Sequence, residues 1–145
     1  MRTIKLGSKK KQVKYKFRET CFGIVYKDNE FYVTEKDGEI SLIGGGIDND
    51  ETHEETLRRE FIEEAGLKIK EIIPFVTIDC YWHTRDDHEM NSLANFYIVK
   101  VEDDILEPTE NVSRLVLVSK DEIMSKLLLP YQSKAMQMFL DWNKN

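Results

Sequence analysis

The segment from Gly45 to Leu67 constrains the fold more than any other part of this sequence, because it marks both ends of a helix that follows a glycine-rich loop. It reads GGIDNDETHEETLRREFIEEAGL. Thr52 and Glu55 have the spacing of a capping box, in which each side chain accepts a hydrogen bond from the other residue's backbone N–H. This spacing predicts a helix that begins near Thr52. Gly66 suits the left-handed position at a helix C-terminus, so we expect the helix to end there.

The predicted helix has an apolar face and an acidic face. Apolar side chains recur at the helical period and should pack on the core: Leu57, Phe61, Ile62 and Ala65. Phe61 brings an aromatic ring to this face and requires a roomy pocket. Glu60, Glu63 and Glu64 share another face at i, i+3 and i+4 spacing, where like charges repel one another. A hard divalent cation would turn this repulsion into coordination, which indicates Mg2+, with Mn2+ as an alternative. No histidine or cysteine is interleaved with these acids, so zinc fits less well.

An acidic helix face can also be no more than a solvated surface. Two neighbouring features favour a binding site instead. Gly44, Gly45 and Gly46 offer backbone N–H groups that a phosphate can approach closely, since glycine has no Cβ. Arg59 lies among the carboxylates, where it can orient one of them or neutralise charge. Together these features predict a site for a metal ion and a diphosphate.

The order of these residues is also that of a known motif. Gly45, Glu51 and Arg59 are separated by five and seven residues, and Arg59 opens the run Arg-Glu-Phe-Ile-Glu-Glu-Ala-Gly-Leu. This spacing, G-x5-E-x7-R-E-U-x-E-E-x-G-U with U a bulky apolar residue, resembles the Nudix box. The resemblance implies a Mg2+-dependent hydrolase that cleaves a pyrophosphate linkage in a nucleoside diphosphate joined to another group. It also implies one α/β (α+β) domain over residues 1–145, an α/β/α sandwich with a mixed β-sheet and a loop-helix-loop catalytic motif.

The resemblance suggests roles for the motif residues. The catalytic residues that it implies are Glu51, Arg59, Glu60, Glu63 and Glu64. The last three would bind metal and one of them would help to activate the attacking water, while Arg59 would position Glu51. The carbonyl of Gly44 or Gly45 would complete the metal shell, and Gly45 and Gly46 would approach the phosphates.

A further carboxylate from a later loop often lies near the metals in this family. Glu110, at the end of the acidic stretch 102–110, is the candidate in this sequence, and Glu107 is the second choice. No rigid motif fixes the position of either residue, so the assignment depends on how the chain folds around them.

The remaining elements are predicted from apolar and β-branched runs and from the positions of proline and glycine. Strands are expected at residues 20–26, 31–35, 41–43, 69–82, 93–101 and 114–118, with Pro74 interrupting the fourth. Residues 120–128 and 131–142 are predicted as two helices broken at Pro130. The polar stretch 83–90 is expected to form a hairpin loop and residues 102–110 an acidic loop.

The hairpin loop and the strand before it supply candidate substrate-binding residues. Arg85 can reach a phosphate, and Tyr81 or Trp82 can stack on a nucleobase. The alternative is that the loop is only solvated and that the aromatic residues belong to the core. His83 and His88 have no third partner at ligand spacing and are interpreted as surface residues.

The first 18 residues are strongly basic. They carry eight Lys and Arg and no acid, so the rest of the chain, with 13 basic and 27 acidic residues, has a net charge of −14. Such a segment can steer polyphosphate or contact RNA. We favour a solvated strand instead, because Val13, Tyr15 and Phe17 alternate with basic residues as on a strand with one face buried. We therefore do not expect a nucleic-acid partner.

Composition places the chain among globular domains. A length of 145 residues with 41% hydrophobic residues is enough to bury a core. No run of 18 apolar residues indicates a membrane span, and no apolar segment near the N-terminus indicates secretion. Cys21 and Cys80 lack metal spacing and are expected to be buried, reduced thiols, which suits a cytoplasmic protein. The sequence leaves the oligomeric state open between monomer and homodimer.

The substrate is the least constrained property. A nucleoside triphosphate, intact or oxidised, cleaved to a monophosphate and pyrophosphate is the leading hypothesis, and ADP-ribose or a nucleotide sugar is its main rival. A third hypothesis is a sensor of Nudix fold that binds a nucleotide without cleaving it. Loss of acids from the motif would favour the sensor, and every acid is present.

Overall fold

The computed structural model describes residues 1–110 and 112–144 and is a mixed α and β structure. Its strands are β1 (Arg2–Leu6), β2 (Lys16–Lys27), β3 (Glu30–Lys36), β4 (Glu39–Ser41), β5 (Ile43–Gly46), β6 (Leu67–His83), β7 (Glu89–Ile105) and β8 (Arg114–Ser119). Its helices are α1 (His53–Glu60), α2 (Ile123–Lys126) and α3 (Pro130–Asn143), and a π-helical turn, Phe61–Ala65, continues α1. No helix in the described part of the chain has the length and apolarity needed to cross a bilayer.

The strands form a mixed sheet in the order β1-β6-β7-β2-β3-β4, to which β5 is added on β2 and β8 on β3. The pairs β1–β6 and β2–β7 are parallel, whereas β6–β7, β2–β5 and β3–β8 are antiparallel. This sheet confirms the predicted fold class. Strand β2 pairs with both β7 and β5. It therefore joins the long hairpin of β6 and β7 to β5, which carries Gly44, Gly45 and Gly46 and is called the glycine strand below.

The sheet is covered on both faces. One apolar cluster packs strand residues against α3, including Phe22, Phe31, Phe96 and Phe139. The other packs them against α1 and its π-helical turn, including Cys21, Val25, Leu57 and Phe61. Because neighbouring residues of a strand point to opposite faces, β2 contributes to both clusters. Its central residues are therefore buried on both faces of the sheet.

Gly23 provides the room that Phe61 needs. A Cβ on Gly23 would lie 2.5 Å from Cζ of Phe61 and 2.8 Å from Cγ2 of Val99. Phe61 itself is completely buried. The aromatic residue of the motif therefore packs directly on the backbone of the central strand.

We expect Gly23→Ala to destabilise the protein by about 1–3 kcal/mol, because the added methyl group overpacks the interface between β2 and α1. Phe61→Leu in the same chain should recover part of the loss by removing the ring atoms that the methyl meets. Denaturant unfolding of both single variants and the double variant measures this coupling. Strictly additive losses would show that the two residues do not share the space.

Several sequence-based boundaries are wrong in ways that strand pairing explains. Residues 102–105 extend β7 instead of opening the acidic loop, because Ile105 pairs with Leu67. Pro74 interrupts the pairing of β6 only by a register shift between Pro74 and Val76, and the strand continues past it. In the C-terminal part, α2 is limited to Ile123–Lys126, and Pro130 begins α3 instead of separating two helices.

The basic N-terminal segment also differs from its prediction. Val13 and Tyr15 precede β2, and Phe17 is 58% exposed although its strand position was expected to be buried. The reason is that Phe17 pairs with Asn91 beyond the end of the apolar clusters. The first strand is instead Arg2–Leu6, which joins the edge of the sheet beside β6. Cys21 and Cys80 are buried and unbonded, as predicted.

Candidate active site

The helix of the motif begins and ends where the sequence predicts. Thr52 caps α1, with its hydroxyl accepting from the N–H of Glu55 and the Glu55 carboxylate accepting from the N–H of Thr52. Gly66 ends the helical segment with φ of 65°. The last turn, however, is π-helical and not α-helical. Because a π turn holds more residues than an α turn, the relative direction of Glu60 and Glu64 differs from that of a regular helix.

Arg59 is the centre of the acidic cluster. Its Nε lies 2.7 Å from Oε2 of Glu51 and its Nη2 2.9 Å from Oε1, so the two side chains are joined by a bidentate pair. Its Nη1 donates to Glu60 at 2.8 Å and to Glu63 at 3.2 Å. Its Nη2 also donates to the carbonyl oxygen of Gly46 at 3.0 Å. One guanidinium thus connects α1, the preceding loop and β5.

This arrangement shifts the ionisation of the pair. The hydrogen bonds from Arg59 lower the pKa of Glu51 to about 2. The same contacts, first that with Glu51, raise the pKa of Arg59 above its usual range. Glu51 therefore remains a carboxylate at any physiological pH, and its negative charge holds Arg59 in place.

Glu64 has the opposite environment. Burial is the main cause that raises the pKa of Glu64 well above its usual range, and its hydrogen bond with Glu60 adds to the effect. Burial also raises the pKa of Glu63. Burial and neighbouring carboxylates both favour the protonated form of a carboxyl group, so Glu63 and Glu64 bind a proton more readily than free glutamate. A cation at this place would stabilise the charged form of both groups.

The glycine strand allows the carboxylates to approach its backbone. A Cβ on Gly45 would lie 2.8 Å from Oε1 of Glu60, so any larger residue would displace that carboxylate. Gly44 has φ of 152°, and a Cβ there would lie 2.0 Å from the carbonyl oxygen of Cys21. Gly44 therefore requires glycine on steric grounds, whereas a side chain at Gly45 would force the Glu60 carboxylate to move.

The donor set suits a hard divalent cation. It consists of carboxylate oxygens and nearby backbone carbonyls, the ligands that Mg2+ and Mn2+ prefer. Among residues 1–110 and 112–144, no group of three or more His, Cys, Asp or Glu is already arranged to hold a metal ion. Glu60 and Glu63 are instead engaged by Arg59. The residues fit such an ion in their chemistry, and binding would require their side chains to turn.

A cavity of about 300 Å3 lies against these groups. Glu110 lines it together with Glu60 and Glu64, and the N–H of Glu110 donates to the carbonyl oxygen of Glu63 at 3.0 Å. The structure thus brings the loop carboxylate to the motif, whereas Glu107 does not line the cavity. Two cations on the cavity wall, Arg18 and Lys36, were not anticipated from the sequence.

A second polar network, also unanticipated, fixes the start of α1. Nδ2 of Asn95 donates to Oε2 of Glu19 at 3.0 Å and to the carbonyl oxygen of Thr20 at 3.1 Å. The ring of His53, the first residue of α1, lies 2.6 Å from the hydroxyl of Tyr97 and 3.5 Å from Glu19. These side chains come from three elements that meet only through the pairing of β2 with β7, so no local pattern could reveal them.

The other candidate substrate-binding residues are distributed over different surfaces. Tyr81 packs edge-on against Tyr15 and lines a small cavity beside the N-terminal segment, not the carboxylate cavity. Trp82 donates from Nε1 to Oγ of Ser92 and lines a larger cavity of about 850 Å3 with Arg85. Arg85, in the loop between β6 and β7, forms an ion pair with Glu39 at the start of β4. That cavity and the carboxylate cavity share the side chain of Glu39.

Comparisons with known proteins agree with this geometry. The profile of the NUDIX domain matches residues 17–141. The chain therefore belongs to the Nudix family. It is accordingly a pyrophosphohydrolase of a family that generally uses divalent metal ions and acts on small nucleotides. No curated protein sequence matches the chain significantly.

Solved structures show the same fold. A NUDIX hydrolase from Nitrosomonas europaea superposes with a TM-score of 0.67 at 15% identity, over 87% of this chain and 90% of its own. A mutator MutT protein from Bacillus halodurans gives a TM-score of 0.68 at 17% identity, over 83% and 80%. An ADP compounds hydrolase gives 0.65 at 17% identity, over 88% and 73%. At these identities the likeness concerns the fold alone.

Proposed function

We propose that the protein hydrolyses nucleoside triphosphates to a monophosphate and pyrophosphate in the presence of Mg2+. The observation that carries this proposal is the carboxylate cluster held by Arg59 against the glycine strand, in a cavity with two cations on its wall. Acids suit a metal ion and cations suit the phosphate chain of a small nucleotide. A divalent ion, Mg2+ or Mn2+, bound by Glu60, Glu63, Glu64 and the Gly44 carbonyl would neutralise phosphate charge and favour deprotonation of water.

The reaction is a simple displacement. The oxygen of a water molecule forms a bond to the α-phosphorus, and the bond from that phosphorus to the bridging oxygen breaks. The electron pair leaves with pyrophosphate, and the proton lost by the water passes to a carboxylate or to solvent. One of the three motif glutamates, Glu60, Glu63 or Glu64, is the candidate for this base.

Arg59 and Glu51 act on this step through position. Their bidentate pair fixes the loop before α1 to the helix, and the hydrogen bond from Arg59 to the Gly46 carbonyl joins the helix to β5. Glu60 and Glu63 are held by the same guanidinium. The backbone of Gly45 and Gly46 is thereby presented to the phosphate chain in a fixed conformation.

A second candidate function is hydrolysis of ADP-ribose or a nucleotide sugar. The larger cavity with Trp82 and Arg85 adjoins the carboxylate cavity through Glu39 and has room for a bulky group beyond a diphosphate. The fold shared with an ADP compounds hydrolase supports this candidate. A sensor without activity receives less support, because every acid of the motif lies at the cavity or beside Arg59.

Product analysis in water enriched in oxygen-18 separates these functions. Attack at the α-phosphorus of a triphosphate places the label in the monophosphate and none in pyrophosphate. Release of orthophosphate, or label in the pyrophosphate, would contradict the proposed bond. Cleavage of ADP-ribose or a nucleotide sugar with no turnover of triphosphates would establish the second candidate instead.

Removal of divalent cations is expected to abolish hydrolysis. In excess EDTA the acidic groups lose the ion that stabilises their charge and orients the phosphates, so turnover should fall below detection. Added Mg2+ or Mn2+ should restore it, while Ca2+ at the same ionic strength serves as a comparison with a larger ion. An unchanged rate in excess EDTA would remove the metal from the mechanism.

A further inference from the structure

The guanidinium of Arg18 lies close to Gly46, where a side chain at residue 46 would crowd it. A Cβ on Gly46 would lie 3.3 Å from Nη2 and 3.4 Å from Nε of Arg18. Such contacts are tighter than most real Cβ contacts, so a larger residue at position 46 would require the guanidinium to shift slightly. The carbonyl oxygen of the same glycine accepts from Arg59 at 3.0 Å. Gly46 therefore lies between two arginines.

The two arginines differ in what they bind. Arg59 is surrounded by the carboxylates of Glu51, Glu60 and Glu63. Arg18 forms no ion pair with any residue in the ranges 1–110 and 112–144, although it lines the same cavity as Glu60 and Glu64. Its N–H groups are thus free for a ligand, and a guanidinium has no acceptor of its own. Arg59 is engaged in ion pairs within the protein, whereas Arg18 is available to a ligand in the cavity.

The glycine strand separates the free guanidinium from the acids. Successive residues of a strand point to opposite faces, and a Cβ on Gly45 would meet Glu60 whereas a Cβ on Gly46 would meet Arg18. The acids and Arg18 therefore flank β5 from its two sides, with no side chain between them at Gly44, Gly45 or Gly46. Lys36, also on the cavity wall and also without an ion pair in the described chain, adds positive charge. A phosphate chain lying across β5 would meet the acids on one side and Arg18 on the other.

We infer that Arg18 binds the terminal phosphate of the substrate and so selects for nucleoside triphosphates over diphosphates joined to a sugar. This inference rests on the proposed function. A terminal phosphate carries almost two negative charges near neutral pH, more than an internal one. The planar fork of a guanidinium matches two of its oxygens. A sugar in the same place carries no negative charge, so it would form no ion pair with Arg18.

Titration with inorganic pyrophosphate in Mg2+ buffer tests the inference directly, because the probe is the group that Arg18 would bind and no turnover is needed. Arg18→Gln should weaken pyrophosphate binding about tenfold to a hundredfold through loss of charged hydrogen bonds. Arg18→Lys keeps the charge and loses the forked geometry of the guanidinium. Its affinity for pyrophosphate should lie between those of the wild type and Arg18→Gln. Arg2→Gln removes the same charge from β1, outside the cavity wall, and should bind pyrophosphate like the wild type.

Kinetics with two substrates complete the test. For a triphosphate, Arg18→Gln should raise KM about tenfold or more while kcat changes only a few-fold, and for a nucleotide sugar both constants should change little. Wild-type pyrophosphate affinity in Arg18→Gln, with an unchanged melting temperature, would overturn the inference, as would equal losses for both substrates. If the wild type cleaves no triphosphate, the proposed function fails, and the pyrophosphate titration still decides whether Arg18 binds phosphate.

Discussion

Glu64→Gln is expected to lower turnover roughly a hundredfold to ten-thousandfold while leaving the fold intact. The substitution removes a charge that the metal needs and a group that can accept the proton of water. It should change the stability of the metal-free protein little, because burial and the hydrogen bond with Glu60 already favour a neutral side chain at this position. Initial rates in Mg2+ and a thermal melt without metal measure the two effects separately.

Glu54→Gln is the matched control for this substitution. Glu54 lies in the first turn of the same helix, exposed to solvent and paired with Arg58 at i, i+4 spacing. It contributes no atom to the carboxylate cavity. An exposed pair of this kind stabilises a helix by about 0.5 kcal/mol or less, so both rate and melting temperature should change little. Near wild-type turnover in Glu64→Gln would mean that the metal assignment is wrong.

Arg59→Gln should have the second large effect, and on both stability and activity. The substitution leaves Glu51, Glu60 and Glu63 without their common cation, and it also removes a donor to the Gly46 carbonyl. We expect a loss of about 2–4 kcal/mol in the free energy of unfolding, since half-buried carboxylates would face one another unpaired. Turnover should fall by about a hundredfold or more, because the glycine strand and the glutamates lose their alignment.

A double-mutant cycle separates the pair from the rest of the cluster. Glu51→Gln alone should destabilise less than Arg59→Gln, because Arg59 keeps two other carboxylates. In denaturant unfolding, the loss of stability in the double variant should be smaller than the sum of the losses in the two single variants. Additivity would show that Glu51 and Arg59 act independently, contrary to their two hydrogen bonds of 2.7 and 2.9 Å.

The helix of the motif could be predicted because its determinants are local. The capping box of Thr52 and Glu55, the left-handed Gly66 and the spacing of the glutamates all lie within one segment. Local patterns did not predict the π-helical turn, which changes how Glu64 stands relative to Glu60. They also placed Phe17 in a buried strand, whereas Phe17 is exposed because it pairs with Asn91 near the start of β7, beyond the apolar clusters.

The positions of side chains that depend on strand register could not be predicted from local sequence patterns. Arg18 reaches Gly46 only because Thr20 pairs with Gly46 in antiparallel register, and this pairing cannot be read from either segment alone. Tyr81 and Trp82 were both proposed as stacking residues, yet adjacent positions of a strand point to opposite faces, and Tyr81 faces Tyr15 instead. Glu110 was chosen by its place before a strand, and the structure brings it to the cavity wall.

The most direct test of the central claim is a hydrolysis panel in Mg2+ with Glu63→Gln as the blank. The panel contains nucleoside triphosphates, intact and oxidised, together with ADP-ribose, nucleotide sugars and dinucleoside polyphosphates, and each product is identified. We expect a triphosphate to be converted to a monophosphate and pyrophosphate by the wild type, and the blank to show at most about one hundredth of that rate. Equal rates in both proteins would contradict a glutamate-dependent pyrophosphohydrolase, and nucleotide binding without any turnover would indicate a sensor.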